Sequence, residues 1–255
     1  MATPYDSYNY SQYWRGREYE NLAEEKALKR LLKNIPPGKS LIDIGAGFGR
    51  HTQVYLSKFQ KIVLIDASSK LLELAKKKFR RYPQISYKNA RIEKIPFKSN
   101  QFDVALVIRV SHHLPSLEKP FKEISRILKP QGFLILEFAN KTNLKRTIKS
   151  LLKRDFSFLL SHRPVNLSSQ NNLAFYNYHH SHIKSLLLSN HFKIIKAVSV
   201  SNFRNRFLKK IFPLKILLWL EFHFSLLTSF FPFHFGPSIF ILAQKKGSSP
   251  RLDKL

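Results

Sequence analysis

The chain has 255 residues, no cysteine, 44 basic against 16 acidic residues, and a formal net charge of +28. Its length suits one large domain or one domain with a small addition, and the lack of thiols excludes disulfides, thiolate metal centres and cysteine nucleophiles. The positive excess points either to a polyanionic partner (RNA or an anionic membrane surface) or to lysines spread over solvated faces. It is densest after Asn140, where only Asp155, Glu221 and Asp253 are acidic.

The N-terminal stretch is polar and aromatic with no apolar core, so it does not read as a signal peptide and a cytoplasmic location is expected. Tyr5 to Tyr19, with Trp14, Arg15 and Arg17, forms an aromatic arm expected to close over a substrate or to pack on the core. Leu22, Ala23, Ala27, Leu28, Leu31 and Leu32 recur at helical spacing and are stopped by Ile35-Pro-Pro-Gly38, which predicts an amphipathic helix over Glu18 to Lys33.

Ser40 to Arg50 (SLIDIGAGFGR) reads as a short buried strand running into a tight turn on Gly45, Gly47 and Gly49. Glycines so spaced let the backbone turn sharply, approach a ligand closely and open a helix whose free N–H groups face it. The helix is expected over His51 to Phe59. A second strand, Lys61 to Asp66, ends in an acid at about the ~20-residue spacing where a carboxylate grips ribose hydroxyls. Asp43, just before the first glycine, would repel a pyrophosphate. S-adenosylmethionine instead carries a sulfonium and an ammonium and no phosphate. With Arg50 where a dinucleotide fingerprint ends in glycine, the turn reads as a methyl-donor site.

Further along, Ser68 or Ser69 caps a helix to Phe79, and Ile85 to Lys88 is a strand. Val104 to Val110 is a strand buried on both faces, Ser116 to Leu128 a helix, Lys129 to Gly132 a turn, and Phe133 to Phe138 another buried strand. This alternation predicts a parallel sheet with helices on both faces. Lys141 to Arg154 reads as a basic amphipathic helix, and Ser161 to Tyr178 as a polar loop. A helix capped by Ser181 ends at Asn190 in the left-handed conformation, and His191 to Val200 and Ser238 to Gln244 are strands. Between them Phe203 to Pro237 is the most apolar stretch. Its uninterrupted span of about 18 residues is at the lower limit for crossing a bilayer, so an inserted helical cap, on the sheet or along an apolar pocket, is expected over a transmembrane helix. Flanking arginines and lysines leave room for an interfacial helix.

The runs LIDIGAGFGR, VLIDAS, IPFKSNQFDVALVIRVSHHL and ISRILKPQGFLILEFANK, in that order, resemble the class I S-adenosylmethionine-dependent methyltransferases, type 11 group, which is similar to the ubiquinone and menaquinone C-methyltransferases. The resemblance covers about Leu41 to Asn140. It implies a Rossmann-like seven-stranded, mostly parallel α/β sheet, a closing hairpin with the last strand antiparallel, and a helical insert before it. It also implies one continuous domain: an arm and helix over 1–38, a cofactor-binding core over 39–140, and substrate-side helices, hairpin and insert over 141–255.

By that resemblance, main-chain N–H groups of Gly45, Ala46 and Gly47 meet the methionine carboxylate of S-adenosylmethionine, and Asp43 attracts its ammonium. Asp66 accepts from both ribose hydroxyls, Ala67 lies along the adenosine, and Arg109 and Val110 line the donor pocket. The family pattern places an acid for the adenine amino group where this chain has Arg91, which has no acceptor. Asn89, or only the backbone of Arg91 and Ile92, is then left to hold the ring. His112 or His113, at the end of the fourth strand, is the candidate general base. Tyr176, Tyr178, His179, His180 and His182 read as pocket lining, since HHSH has no paired spacing or nearby acid for a metal. The acceptor is expected to be a small molecule or lipid-like. RNA methylation, or a non-catalytic membrane-associated binding protein of the same fold, are the alternatives.

Overall fold

The computed structural model describes residues 13–167 and 174–247. Most of the aromatic arm and part of the polar loop therefore lie outside the described residues. In chain order the elements are α1 (Glu18–Leu32), β1 (Gly38–Ile44), α2 (Thr52–Tyr55), β2 (Phe59–Asp66), α3 (Ser69–Lys78), β3 (Ile85–Asn89), β4 (Phe102–Val107), α4 (Glu118–Ile127) and β5 (Leu128–Ala139). They continue with α5 (Leu144–Leu152), α6 (Phe156–Leu160), β6 (Val165–Asn166), β7 (Tyr176–Asn177), α7 (His180–Ser189), β8 (Phe192–Val200), α8 (Arg206–Ile211), α9 (Leu214–Leu227) and β9 (Ser238–Lys245).

The main sheet has seven strands in the order β3-β2-β1-β4-β5-β9-β8. The pairs from β3 to β5 are parallel, whereas β9 runs antiparallel to both β5 and β8. This is the Rossmann-like α/β sheet expected, with the last strand reversed.

Strand alternation builds two cores. Leu41, Ile62, Leu64, Val104 and Leu106 face one layer, where Leu28 and Leu31 of α1, Leu72 of α3 and Leu217 of α9 pack. Ile42, Ile44, Val63, Ala105 and Val107 face the other, against Phe121 and Ile124 of α4 and Ile183 and Leu187 of α7. Both faces are covered, which is why the strands read as continuous apolar runs.

Several boundaries differ from expectation. The helix after the glycine turn is one turn long, since Phe59 already belongs to β2; Lys58, between them, donates from Nζ to the Leu32 and Ile35 carbonyls (2.7 and 2.8 Å). Ser68, not Ser69, caps α3, its Oγ accepting from the Leu71 N–H at 3.2 Å. His179 rather than Ser181 caps α7, and the left-handed residue after it is His191 (φ 65°), not Asn190. Strand β5 begins at Leu128, with Gln131 at φ 63° inside the region expected to be a turn. The insert packs on α1 and β8.

Candidate functional site

The carboxyl ends of β1, β2 and β4 open on a cavity of about 210 Å³. In an open α/β sheet this is where ligands sit, at the point where strand order reverses from β1. Its floor is the glycine turn. Gly45 and Gly47 hold φ of 75° and 55°, a region L side chains rarely adopt, and a Cβ on Gly45 would fall 2.2 Å from Val110 Cγ2. Gly45→Ala is therefore expected to destabilise the chain by about 2–4 kcal/mol, from the left-handed backbone and the overpacking together. Thermal denaturation checks this; an unchanged midpoint would contradict the packing described.

The N–H groups of this turn do not behave as expected. Those of Gly45 and Ala46 donate to the Ile65 carbonyl at 2.8 and 3.0 Å, and that of Gly47 donates to Asp66 Oδ2 at 2.8 Å. All three are taken up in holding the turn against β2, so they are not the free donors for a carboxylate that the sequence led one to expect. Asp66 Oδ1 also accepts from the Ser68 N–H at 2.8 Å. The carboxylate is thus fixed at the cavity wall.

Positive charge in the cavity comes instead from two arginines. Arg50 and Arg109 both line it and share one fully buried carboxylate, Glu24 of α1. Arg50 donates to Glu24 Oε2 at 2.6 Å, and Arg109 Nε to Oε1 at 2.8 Å. Trp14 lies under both guanidinium groups, 3.8 Å from Arg50 and 5.5 Å from Arg109 to the ring centroid. Burial by itself would raise the Glu24 carboxyl, but Arg109 and Arg50 outweigh it and hold it well below the usual range. Arg109 sits at φ 63°, a strained backbone kept in place by its N–H bond to Glu137 Oε2 (2.9 Å).

Asp43 is buried, accepts from the Tyr55 hydroxyl at 2.5 Å, and forms no ion pair among the described residues. Burial pushes its carboxyl up to about 6, the nearby Asp66 adding to this against the Tyr55 hydrogen bond and Arg50. A buried carboxylate so raised gains most from an incoming cation.

The remaining expected residues divide. Ala67, Arg91, Ile92, Val110 and His113 line the cavity, whereas Asn89 and His112 do not. Asn89 uses its amide to donate to the Asp66 and Ala67 carbonyls, both at 2.9 Å, tying β3 to β2. The Arg91 guanidinium is exposed and pairs with Glu93 at 3.2 Å. His112 is buried and stacks on Phe175 at 4.3 Å, and burial holds its ring well below the usual imidazole range. Burial also lowers His113, to about 4, although its ring bonds the Ala174 carbonyl.

Of the histidine cluster, His179 and His180 stack at 4.4 Å and the buried Tyr178 donates to the Leu114 carbonyl. None of its members lines the cavity, nor does any residue of the insert. The sequence reading missed the pocket role of Arg50 and that of Glu24, although Glu24 stands three, four and seven residues before the buried Ala27, Leu28 and Leu31 and so shares their inward face. Trp14, from the arm expected to close over a substrate or to pack on the core, lines the cavity.

A family model described as a methyltransferase domain matches residues 42–136. The uncharacterized protein MJ0638 of Methanocaldococcus jannaschii is 35% identical over 166 residues, 64% of this chain and 67% of that protein. The chain belongs to the class I S-adenosylmethionine-dependent methyltransferases, type 11 group. The ubiquinone biosynthesis O-methyltransferase of Pelagibacter ubique is 28% identical over 198 residues, covering 70% of this chain and 76% of that one. A solved S-adenosylmethionine-dependent methyltransferase of Thermotoga maritima shares the fold, with a TM-score of 0.61 at 18% identity over 93% of this chain and 95% of that one. The chain spans 55% of the length of a further archaeal relative, MJ1252.

The cavity of this family member fits its family's cofactor. An ionisable carboxylate short of a cation, a second carboxylate at ribose spacing and two arginines are the charges that an ammonium, a ribose and a carboxylate require.

Proposed function

We propose that the chain methylates a small, apolar or lipid-like acceptor in this cavity, using S-adenosylmethionine. The observation that carries the reading is the placement of Asp43, Asp66, Arg50 and Arg109 around one cavity at the strand ends. S-adenosylmethionine supplies an electrophilic methyl group when bound. Asp43 would then hold its ammonium, Arg50 and Arg109 its carboxylate, and Asp66 its ribose. The adenine would rest between Ala67 and Ile92, with Arg91 turned to Glu93.

On the acceptor side, Val110, Leu114, Pro115 and Trp14 give an apolar wall with His113 as its polar group. With its ring held to about 4, His113 is neutral at physiological pH, suited to accept a hydrogen bond and orient a hydroxyl. Positioning, not strong base catalysis, is then the main contribution of the protein. The match to a ubiquinone-biosynthesis O-methyltransferase favours a phenolic quinone precursor over RNA.

Radiolabelled methyl transfer into a panel of phenolic quinone precursors, lipid extracts and tRNA tests this. Product in the apolar arms supports it, product only with tRNA assigns the RNA reading, and none in any arm assigns a binding protein. Asp43 adds a pH signature. Because only its ionised form holds an ammonium, S-adenosylhomocysteine affinity should fall about tenfold from roughly pH 7 to roughly pH 5, with proton release on binding at the lower pH. Calorimetry in two buffers of different ionisation enthalpy reads both; a flat profile contradicts the role of Asp43.

A further inference from the structure

The insert presents a surface that the site does not use. Among the described residues, 11 of the 22 large hydrophobic side chains that are exposed fall within residues 207–231. Helix α9 buries Leu217, Leu218, Glu221 and Ser225, and turns Ile216, Trp219, Phe222 and Leu226 outward. Phe230 and Phe231, just beyond it, are 84% and 66% exposed. An outward face this apolar marks an interaction surface.

Its charge says what kind. Arg204, Arg206, Lys210 and Lys215 are all exposed. The sole acid between residues 202 and 247 is Glu221. Glu221 is buried, accepting from the Tyr19 hydroxyl at 2.5 Å and from the Ser201 and Asn202 N–H groups at 2.7 and 3.0 Å. The exposed face is thus cationic and apolar with no anion of its own. A second copy docked symmetrically would set cations against cations. RNA would use the cations and some aromatic rings but leave Ile216, Leu226 and Leu227 without a role.

We propose that residues 204–231 dock the protein on an anionic lipid surface. Helix α9 lies in the headgroup plane with Trp219, Phe230 and Phe231 inserted and the cations at the phosphates. At 14 residues it is about 21 Å long, too short to span; no described helix is long and apolar enough to cross a membrane. Helix α1 links this surface to the cavity. Its Tyr19 bonds Glu221, its Glu20 pairs with Lys209 of α8 at 3.1 Å, and its Glu24 holds Arg50 and Arg109. Docking would therefore set the cavity at a fixed attitude to the bilayer, where an apolar acceptor would be dissolved.

The test is sedimentation of the full chain with vesicles of phosphatidylcholine alone or with about 30% phosphatidylglycerol, at about 0.15 M salt. Binding to the anionic vesicles is expected, with a blue shift in emission that Trp219→Phe removes. Lys210→Gln/Lys215→Gln should weaken binding roughly 10- to 30-fold, and Trp219→Ala/Phe230→Ala/Phe231→Ala should abolish it. Both variants should still bind S-adenosylhomocysteine as the wild type does, which shows that they fold and separates this surface from the reading of the cavity. No sedimentation with anionic vesicles, unaltered binding by the triple variant, preferential tRNA binding, or a dimer that the triple variant dissolves would each overturn the proposal.

Discussion

Glu24→Gln should destabilise the folded chain by about 3–5 kcal/mol, the usual cost of removing one partner from a buried ion pair. Glu24 is fully buried, and its two oxygens are the counter-charge for Arg50 and Arg109, whose side chains are themselves 13% and 14% exposed. A neutral amide keeps the shape and leaves two guanidinium groups in a half-dry pocket, stacked on Trp14, without the carboxylate that binds both directly. For a chain of this size the loss corresponds to a melting midpoint lower by on the order of 10 °C. Removing one arginine as well, as Glu24→Gln/Arg50→Gln, should recover part of it. Because the Glu24 carboxyl is held well below its ordinary range, its contribution is present above that range and lost as pH falls through the folded value. The gap between wild type and Glu24→Gln should therefore close in acid, below roughly pH 4. A gap that widens in acid would show that Glu24 is not the ionised anchor.

Asp66→Ala should weaken S-adenosylhomocysteine binding at least about 100-fold, since hydrogen bonds to a carboxylate contribute roughly 1.5–3 kcal/mol each and two from the ribose are lost together. The variant also frees the Gly47 and Ser68 N–H groups, so the turn that floors the cavity loses its anchor on β2. Asp66→Asn separates the two effects. Its amide keeps one acceptor but turns a donor toward one of those N–H groups, and intermediate affinity is expected. Retention of wild-type affinity in Asp66→Ala, read by calorimetry, would remove Asp66 from the site.

The sheet was legible because buried parallel strands leave apolar runs, as in Val104 to Val107, and the glycine turn because Gly45 admits neither a Cβ nor an ordinary φ. Asp43 and Asp66, which chemistry and spacing singled out, both line the cavity. The site was not legible where function depends on long-range contact. Glu24 lies on the inward face of α1 with Ala27, Leu28 and Leu31, but the partner that explains a carboxylate there, Arg109, is 85 residues away. The N–H groups of Gly45 to Gly47 looked available because their acceptors, Ile65 and Asp66, belong to another strand. Asn89 and His112 carry suitable groups, yet one is turned to the β2 backbone and the other stacked beneath Phe175. A single sequence gives the residue types at a strand end, but side-chain direction is decided by the neighbours that tertiary packing brings in.

The cavity's charges suit a phosphate-free nucleoside that carries an ammonium. Calorimetric titration of the wild-type chain with S-adenosylhomocysteine, and separately with NAD, tests this most directly. The charges of Asp43, Asp66, Arg50 and Arg109 predict micromolar binding of S-adenosylhomocysteine and none of NAD, whose pyrophosphate would meet Asp43. Binding of NAD, or of neither ligand, would show that these four side chains do not form a methyl-donor site.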